Sequence, residues 1–120
     1  MTNKPHVFVT RAIHPEALAK LAAESEVEVW PEAYPPSKEV LLEKIGGVNG
    51  LLTMLTDPID EHVIASGDPA LKVIAQLAVG YDNIDVAAAT RHGIPVGHTP
   101  GVLTETTADF AWALLMAAAR

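Results

Sequence analysis

Five short apolar runs, each followed by a segment with helical spacing, constrain the fold of this chain most strongly. The runs lie at residues 6–10, 27–30, 50–55, 71–77 and 94–97. Strand and helix units that repeat after roughly 20 to 25 residues favour a parallel sheet with right-handed crossovers and helices on both faces. We therefore expect a three-layer, flavodoxin-like α/β domain whose five parallel strands follow the order 2-1-3-4-5.

Turn and cap residues predict where the helices begin. Pro15 is expected at the start of the first helix, and Ser37 is expected to cap the second. Asp82 or Asn83 is expected to cap the fourth helix, which should end before Gly93.

Composition excludes several functional classes. The chain has 15 acidic and 8 basic residues, a net charge of -7, and no basic stripe for nucleic acid. Its longest apolar run, residues 110–119, is shorter than a membrane-spanning helix, which needs about 20 residues. We therefore expect that the chain does not associate with a membrane. The absence of cysteine favours a cytoplasmic location.

At 120 residues the chain should form one domain over residues 1–120.

Two kinds of site are not favoured by the sequence. A dinucleotide-binding domain needs GxGxxG after the first strand, whereas residues 10–15 read TRAIHP, so we expect no cofactor bound by this chain alone. The one local cluster of metal-type ligands is Asp57, Asp60, Glu61 and His62. Carboxylates at a helix start favour the helix dipole without an ion, so we expect no metal there.

The turn at residues 79–82, VGYD, follows the fourth strand. Open parallel sheets bind ligands at the carboxyl ends of their strands. Gly80 has no Cβ to keep an anion away from the main-chain amides. The alternative is that Gly80 only permits a tight turn.

Six segments together resemble one enzyme family. They are VFVTRAI (7–13), EVEVWP (26–31), LTML (52–55), AVGYDNID (78–85), TPGVLT (99–104) and TADFAW (107–112). On these segments the chain resembles the N-terminal substrate-binding domain of D-isomer-specific 2-hydroxyacid dehydrogenases, most closely glyoxylate and hydroxypyruvate reductases.

The resemblance implies roles for four residues. The backbone amides of Val79 and Gly80 would hold the carboxylate of a small 2-oxo or 2-hydroxy acid, and Leu55 would line the pocket. Thr107 would face the nicotinamide ring of a cofactor. Judged on spacing alone, Leu55 could equally end a buried strand and Thr107 could belong to a helix cap.

The resemblance also implies an NAD(P)H-dependent parent oxidoreductase that acts on CH–OH groups. In that family the catalytic arginine, and the histidine paired with a glutamate, lie beyond the position of Arg120. We therefore expect a truncated or excised fragment without catalytic residues, which is inactive alone and binds its substrate weakly. Leu77 and His98 depart from the family, where an aromatic residue and an asparagine are frequent.

Two other functions remain open at this stage. The first is a free-standing flavodoxin-like binding module, such as a receiver or a flavin carrier. Such modules need an acidic cluster or a phosphate loop after the first strand, where this chain has Thr10 and Arg11. The second alternative is a structural fragment that binds no ligand.

The last helix, within residues 103–120, is unusually apolar. Thr104 with Thr107, or Thr106 with Asp109, should cap its start. A helix that is apolar all round needs cover on more than one side. We expect the core of this domain to cover one side and an absent cofactor-binding domain to cover the other. The isolated chain should then expose some of Trp112, Leu115 and Met116, and should form a homodimer through this helix by self-association or by swapping the helix.

Overall fold

The apolar runs form one parallel sheet in the computed structural model, which describes residues 3–120. The strands are β1 (His6–Val9), β2 (Glu26–Val29), β3 (Gly50–Thr53), β4 (Val73–Gln76) and β5 (Val96–Gly97). The helices between and after them are α1 (Pro15–Glu24), α2 (Lys38–Ile45), α3 (Glu61–Gly67), α4 (Val86–Arg91) and α5 (Thr104–Ala118). The strand order β2-β1-β3-β4-β5, with all pairs parallel, confirms the predicted fold class.

The centre of the sheet holds the most buried strands. Phe8 and Val9 of β1 and Leu51 of β3 are buried, whereas β2 at the edge alternates exposed and half-buried residues. The polar residues Thr53 and Gln76 end β3 and β4 and are buried as well. Because all strands run in one direction, these polar ends meet at a single edge of the sheet.

The hydrophobic core lies between the sheet and the helices that pack on it. Helix α3 contacts both α2 and α4. Apolar side chains from strands and helices are fully buried together, including Phe8, Leu41, Ile45, Leu51, Ile64 and Ile74. This core fixes the strand ends from which the candidate site is built.

Two of the predicted helix starts are confirmed. Pro15 is the first residue of α1, and the Ser37 hydroxyl accepts a hydrogen bond from the Val40 N–H at 3.3 Å. The prediction for α4 was wrong, because the cap is Asp85, whose carboxylate accepts from the Ala88 N–H at 2.9 Å. Helix α4 begins later than expected because the chain after residue 82 first forms an isolated bridge between Ile84 and Ile59.

The predicted caps and packing of α5 were also wrong. Helix α5 begins at Thr104, so Thr104 and Thr106 already lie in its first turn, and Leu103 occupies the cap position without a side-chain hydrogen bond. Every residue of α5 is exposed, so the core covers no side of it. Trp112, Leu115 and Met116 are exposed as predicted.

Within residues 3–120 no helix is long and apolar enough to cross a membrane.

The cap of α3 makes folding stability sensitive to acid. Asp60 accepts hydrogen bonds from Lys38 and from the Val63 N–H, and these two bonds, in that order, hold its pKa below the ordinary value of 3.8. A lowered pKa in the folded state gives stability that is present above about pH 4 and is lost as the pH falls through the folded pKa.

We therefore predict that Asp60→Ala lowers the free energy of unfolding by about 1 kcal/mol at pH 7, and by less near pH 2. Urea unfolding at both pH values measures this difference. Ser37→Ala is the matched control, because it removes an uncharged cap and its cost should not depend on pH. A pH-independent cost for Asp60→Ala would contradict the prediction.

Candidate functional site

The segment after β4 leaves the sheet at its carboxyl edge and forms an exposed turn. The last ladder bond runs from the Leu77 N–H to the Thr53 carbonyl at 2.9 Å. Beyond it, Val79, Gly80 and Tyr81 are exposed. The turn therefore presents its backbone to the surface at the edge where parallel sheets bind ligands.

Three successive carbonyls of this turn are engaged. The Ala78 carbonyl accepts from the Thr99 N–H at 3.0 Å, and the Val79 carbonyl lies 2.8 Å from Nδ1 of His98. The Gly80 carbonyl accepts from Nε2 of Gln76 at 3.2 Å. The first two carbonyls therefore face the segment after β5, and the third faces the buried end of β4.

The direction of these carbonyls fixes the direction of the amides. Because the peptide bonds of the turn are trans and planar, each N–H points opposite to the carbonyl of the same peptide unit. The N–H groups of Val79 and Gly80 thus both point away from residues 98–99. In the described part of the chain, no hydrogen bond uses the amides of Val79, Gly80 or Tyr81 as donors. Adjacent free N–H groups are suited to binding an anion.

The geometry at Gly80 argues against a purely conformational role for this glycine. Its φ angle is not positive, so the turn does not require glycine. A Cβ built at Gly80 would lie 3.8 Å from Cδ2 of Leu55, which is ordinary contact distance. The missing Cβ leaves open a space beside Leu55, and this space adjoins the free amides.

Leu55 lies on the turn after β3, and a buried carboxylate organises that turn. Oδ2 of Asp57 accepts hydrogen bonds from the hydroxyl of Thr10 at 2.5 Å, the hydroxyl of Thr53 at 2.8 Å and the N–H of Met54 at 2.8 Å. Asp57 is fully buried, while Leu55 is 57% exposed. The carboxylate therefore shapes the turn and leaves the Leu55 side chain at the surface.

The acidic cluster at residues 57–62 does not form a metal centre. Asp57 is turned into the protein and Asp60 caps α3. Within residues 3–120 no group of three or more potential ligands could hold a metal ion. The structure thus assigns these carboxylates to hydrogen bonds within the fold.

Two amide side chains connect the turn after β3 with the turn after β4. Nδ2 of Asn83 donates to the carbonyls of Met54 and Asp57, both at 2.9 Å. Oδ1 of Asn83 accepts from Gln76 at 2.7 Å, and Gln76 also holds the Gly80 carbonyl. Sequence reasoning missed this network, although an isolated glutamine at the end of an apolar strand run was its signal.

The four residues singled out in the sequence fall into two adjacent pairs. Leu55 lies beside Gly80, as described above. Val79 and Thr107 line one groove between the turn and α5, together with Leu103, Thr104, Ala108 and Ala111. The arrangement combines free main-chain donors, an exposed aliphatic side chain and a threonine within one end of the domain.

Comparison with known proteins identifies the family of this chain. Residues 7–119 match the family described as D-isomer specific 2-hydroxyacid dehydrogenase, catalytic domain. The chain belongs to this family. Membership of the 2-hydroxyacid dehydrogenases replaces the receiver and flavin-carrier alternatives considered from the sequence.

The relatives are longer than this chain. A glyoxylate reductase of Korarchaeum cryptofilum is 56% identical over 117 residues, which cover 98% of this chain and 35% of the relative. The chain therefore spans about a third of the length of this curated relative.

Solved structures show the same domain. The TT0316 protein of Thermus thermophilus superimposes with a TM-score of 0.86 at 46% identity, over 96% of this chain and 37% of that one. The NAD⁺-bound 3-phosphoglycerate dehydrogenase of Entamoeba histolytica gives a TM-score of 0.68 at 30% identity, over 82% and 33% of the two chains.

Proposed function

We propose that the chain is the substrate-binding part of an NAD(P)H-dependent 2-hydroxyacid dehydrogenase of the glyoxylate reductase type. In this role the amides of Val79 and Gly80 bind the carboxylate of a small 2-oxo acid. The observation that supports this most directly is the pair of free N–H groups that point to one side of the turn after β4. Leu55 limits the space in which the rest of the acid lies.

In this proposal the groove beside the turn would receive one edge of a nicotinamide cofactor. Thr107 is exposed on this groove, and its hydroxyl can donate to or accept from a carboxamide. Thr107 would help to hold NAD(P)H in this groove, and the bound cofactor would supply the hydride. The exposed faces of α5 leave room for a cofactor-binding domain, and the relatives are long enough to contain one.

The residues of this chain bind and orient substrate, and they leave proton transfer to groups elsewhere in the parent enzyme. Reduction of a 2-oxo acid needs a cation that polarises the carbonyl and an acid that donates a proton. Of the histidines within residues 3–120, His98 adjoins the turn, and its Nδ1 is already engaged with the Val79 carbonyl. The 120-residue chain alone should therefore not turn over substrate.

A chimeric enzyme tests this function. This chain would replace the 35% of the Korarchaeum cryptofilum glyoxylate reductase that it matches. We expect the chimera to oxidise NADH or NADPH when glyoxylate is added, because the carboxylate site is retained. The isolated chain serves as the inactive control. A folded chimera that binds the cofactor but reduces no 2-oxo acid would refute the proposed function.

We further propose that α5 packs against the cofactor-binding domain in the parent enzyme, and that isolated chains cover it by self-association. Phe110, Trp112, Leu114, Leu115 and Met116 on this helix are 55–65% exposed. Contiguous apolar surface of this kind marks an interaction site.

Light scattering across a wide concentration range tests this association. We expect the isolated chain to form dimers or larger species, and Trp112→Glu with Leu115→Glu to shift them toward monomer. Tyr34→Glu is the control, since Tyr34 is 62% exposed and lies outside α5. A wild-type monomer at every concentration would rule the association out.

A further inference from the structure

We propose that His98 is a positioning residue that sets the direction in which the Gly80 amide points. The inference rests on the proposed function, because a fixed amide matters only if a carboxylate binds there. It adds a residue outside the turn to the binding machinery.

The His98 ring contacts both chain neighbours of Gly80, Val79 and Tyr81. Its Nδ1 lies 2.8 Å from the Val79 carbonyl, and its ring packs edge-on against Tyr81 with centroids 5.0 Å apart and an interplanar angle of 73°. A carbonyl only accepts hydrogen bonds, so Nδ1 must carry the proton. His98 therefore donates to Val79 while Tyr81 restrains the tilt of the ring.

This hydrogen bond restrains a peptide unit that is otherwise easy to rotate. The Val79 carbonyl and the Gly80 N–H belong to one plane, and rotation of that plane depends on ψ of Val79 and φ of Gly80. Glycine permits many φ values at little cost. The absent Cβ that opens the anion site thus also loosens the amide, and His98 compensates by holding the opposite end of the plane.

Exposure makes His98 suitable for substitution. The side chain lies at the surface, after the end of β5, and contributes nothing to the core. Asparagine can also donate a hydrogen bond to a carbonyl, so His98→Asn should preserve the restraint. Phenylalanine preserves a ring against Tyr81 but cannot donate, so His98→Phe isolates the hydrogen bond from the packing.

The test is an NMR titration of the ¹⁵N-labelled 120-residue chain with oxamate, in wild type and both variants. We expect His98→Phe to bind roughly threefold to tenfold more weakly, which corresponds to the loss of one hydrogen bond. His98→Asn should bind within about twofold of wild type on the same reasoning. Ring ¹⁵N shifts should show a proton on Nδ1 of His98 in the free wild type.

The outcomes separate the inference from the function on which it rests. Wild type that fails to bind oxamate would overturn the proposed function and the role of His98 together. Wild type and His98→Phe that bind equally would overturn the role of His98 alone. A neutral His98 with its proton on Nε2 would do the same, because Nδ1 could not then donate. Weaker binding by His98→Phe, with retention in His98→Asn, supports the inference.

Discussion

Substitution of Gly80 by alanine is expected to abolish most carboxylate binding while leaving the fold intact. The Cβ would enter the space between the Gly80 amide and Leu55, where it meets Cδ2 of Leu55 at 3.8 Å. A carboxylate would then lose its hydrogen bond to the Gly80 N–H. Hydrogen bonds to charged groups contribute about 1.5–3 kcal/mol each, so we expect affinity to fall roughly 10- to 100-fold.

The stability of the same variant distinguishes a binding glycine from a conformational one. Because φ of Gly80 is not positive, alanine is compatible with the backbone and should leave stability unchanged or raise it by about 0.4–1 kcal/mol. Gly46→Ala is the matched control, since Gly46 ends α2 at φ -64° and a Cβ there meets only the Glu43 carbonyl at 3.7 Å. Strong destabilisation by Gly80→Ala with unchanged affinity would show that the turn alone requires glycine.

Substitution of Asp57 by alanine is expected to cause the largest loss of stability. Thr10, Thr53 and the Met54 N–H all donate to one buried oxygen of this residue. Removing it leaves three donors without an acceptor and also opens a cavity. Each unsatisfied buried group costs about 1–3 kcal/mol, so a total loss of about 3 kcal/mol or more is expected in urea unfolding followed by circular dichroism.

The control variant is Asp57→Asn, which retains an acceptor oxygen toward the same three donors. Its amide nitrogen can take the place of Oδ1, which has no protein partner in residues 3–120. We expect a smaller loss, about 1 kcal/mol. If asparagine and alanine destabilise the protein equally, the negative charge of Asp57 is what matters, and the account given for this turn is wrong.

Regular periodicity made the fold predictable from sequence. Short apolar runs separated by amphipathic segments leave few topologies open, and the caps at Pro15 and Ser37 depend only on local chemistry. The cap interactions join residues close in sequence, and the repeating strand and helix units are typical of this strand order. The strand order and the first two helix starts were therefore predicted correctly.

Interactions between distant residues were not predictable in the same way. Asn83 has the sequence context of a helix cap, yet its side chain bonds with Met54 and Gln76 across two strand ends. The link between His98 and Val79 likewise joins positions 19 residues apart. The exposure of α5 was underestimated. An apolar helix sequence indicates that the helix will be buried against another surface, but it does not indicate which part of the protein provides that surface.

The central claim is that free amides after β4 bind a carboxylate, and an amide-resolved titration with glyoxylate tests it most directly. The ¹⁵N-labelled chain would be titrated with glyoxylate and, as a neutral control, with glycolamide. The account predicts saturable shifts of the Val79, Gly80 and Tyr81 amides with glyoxylate and none with glycolamide. Amides at residues 79–81 that stay unmoved, or that respond equally to both compounds, would contradict it.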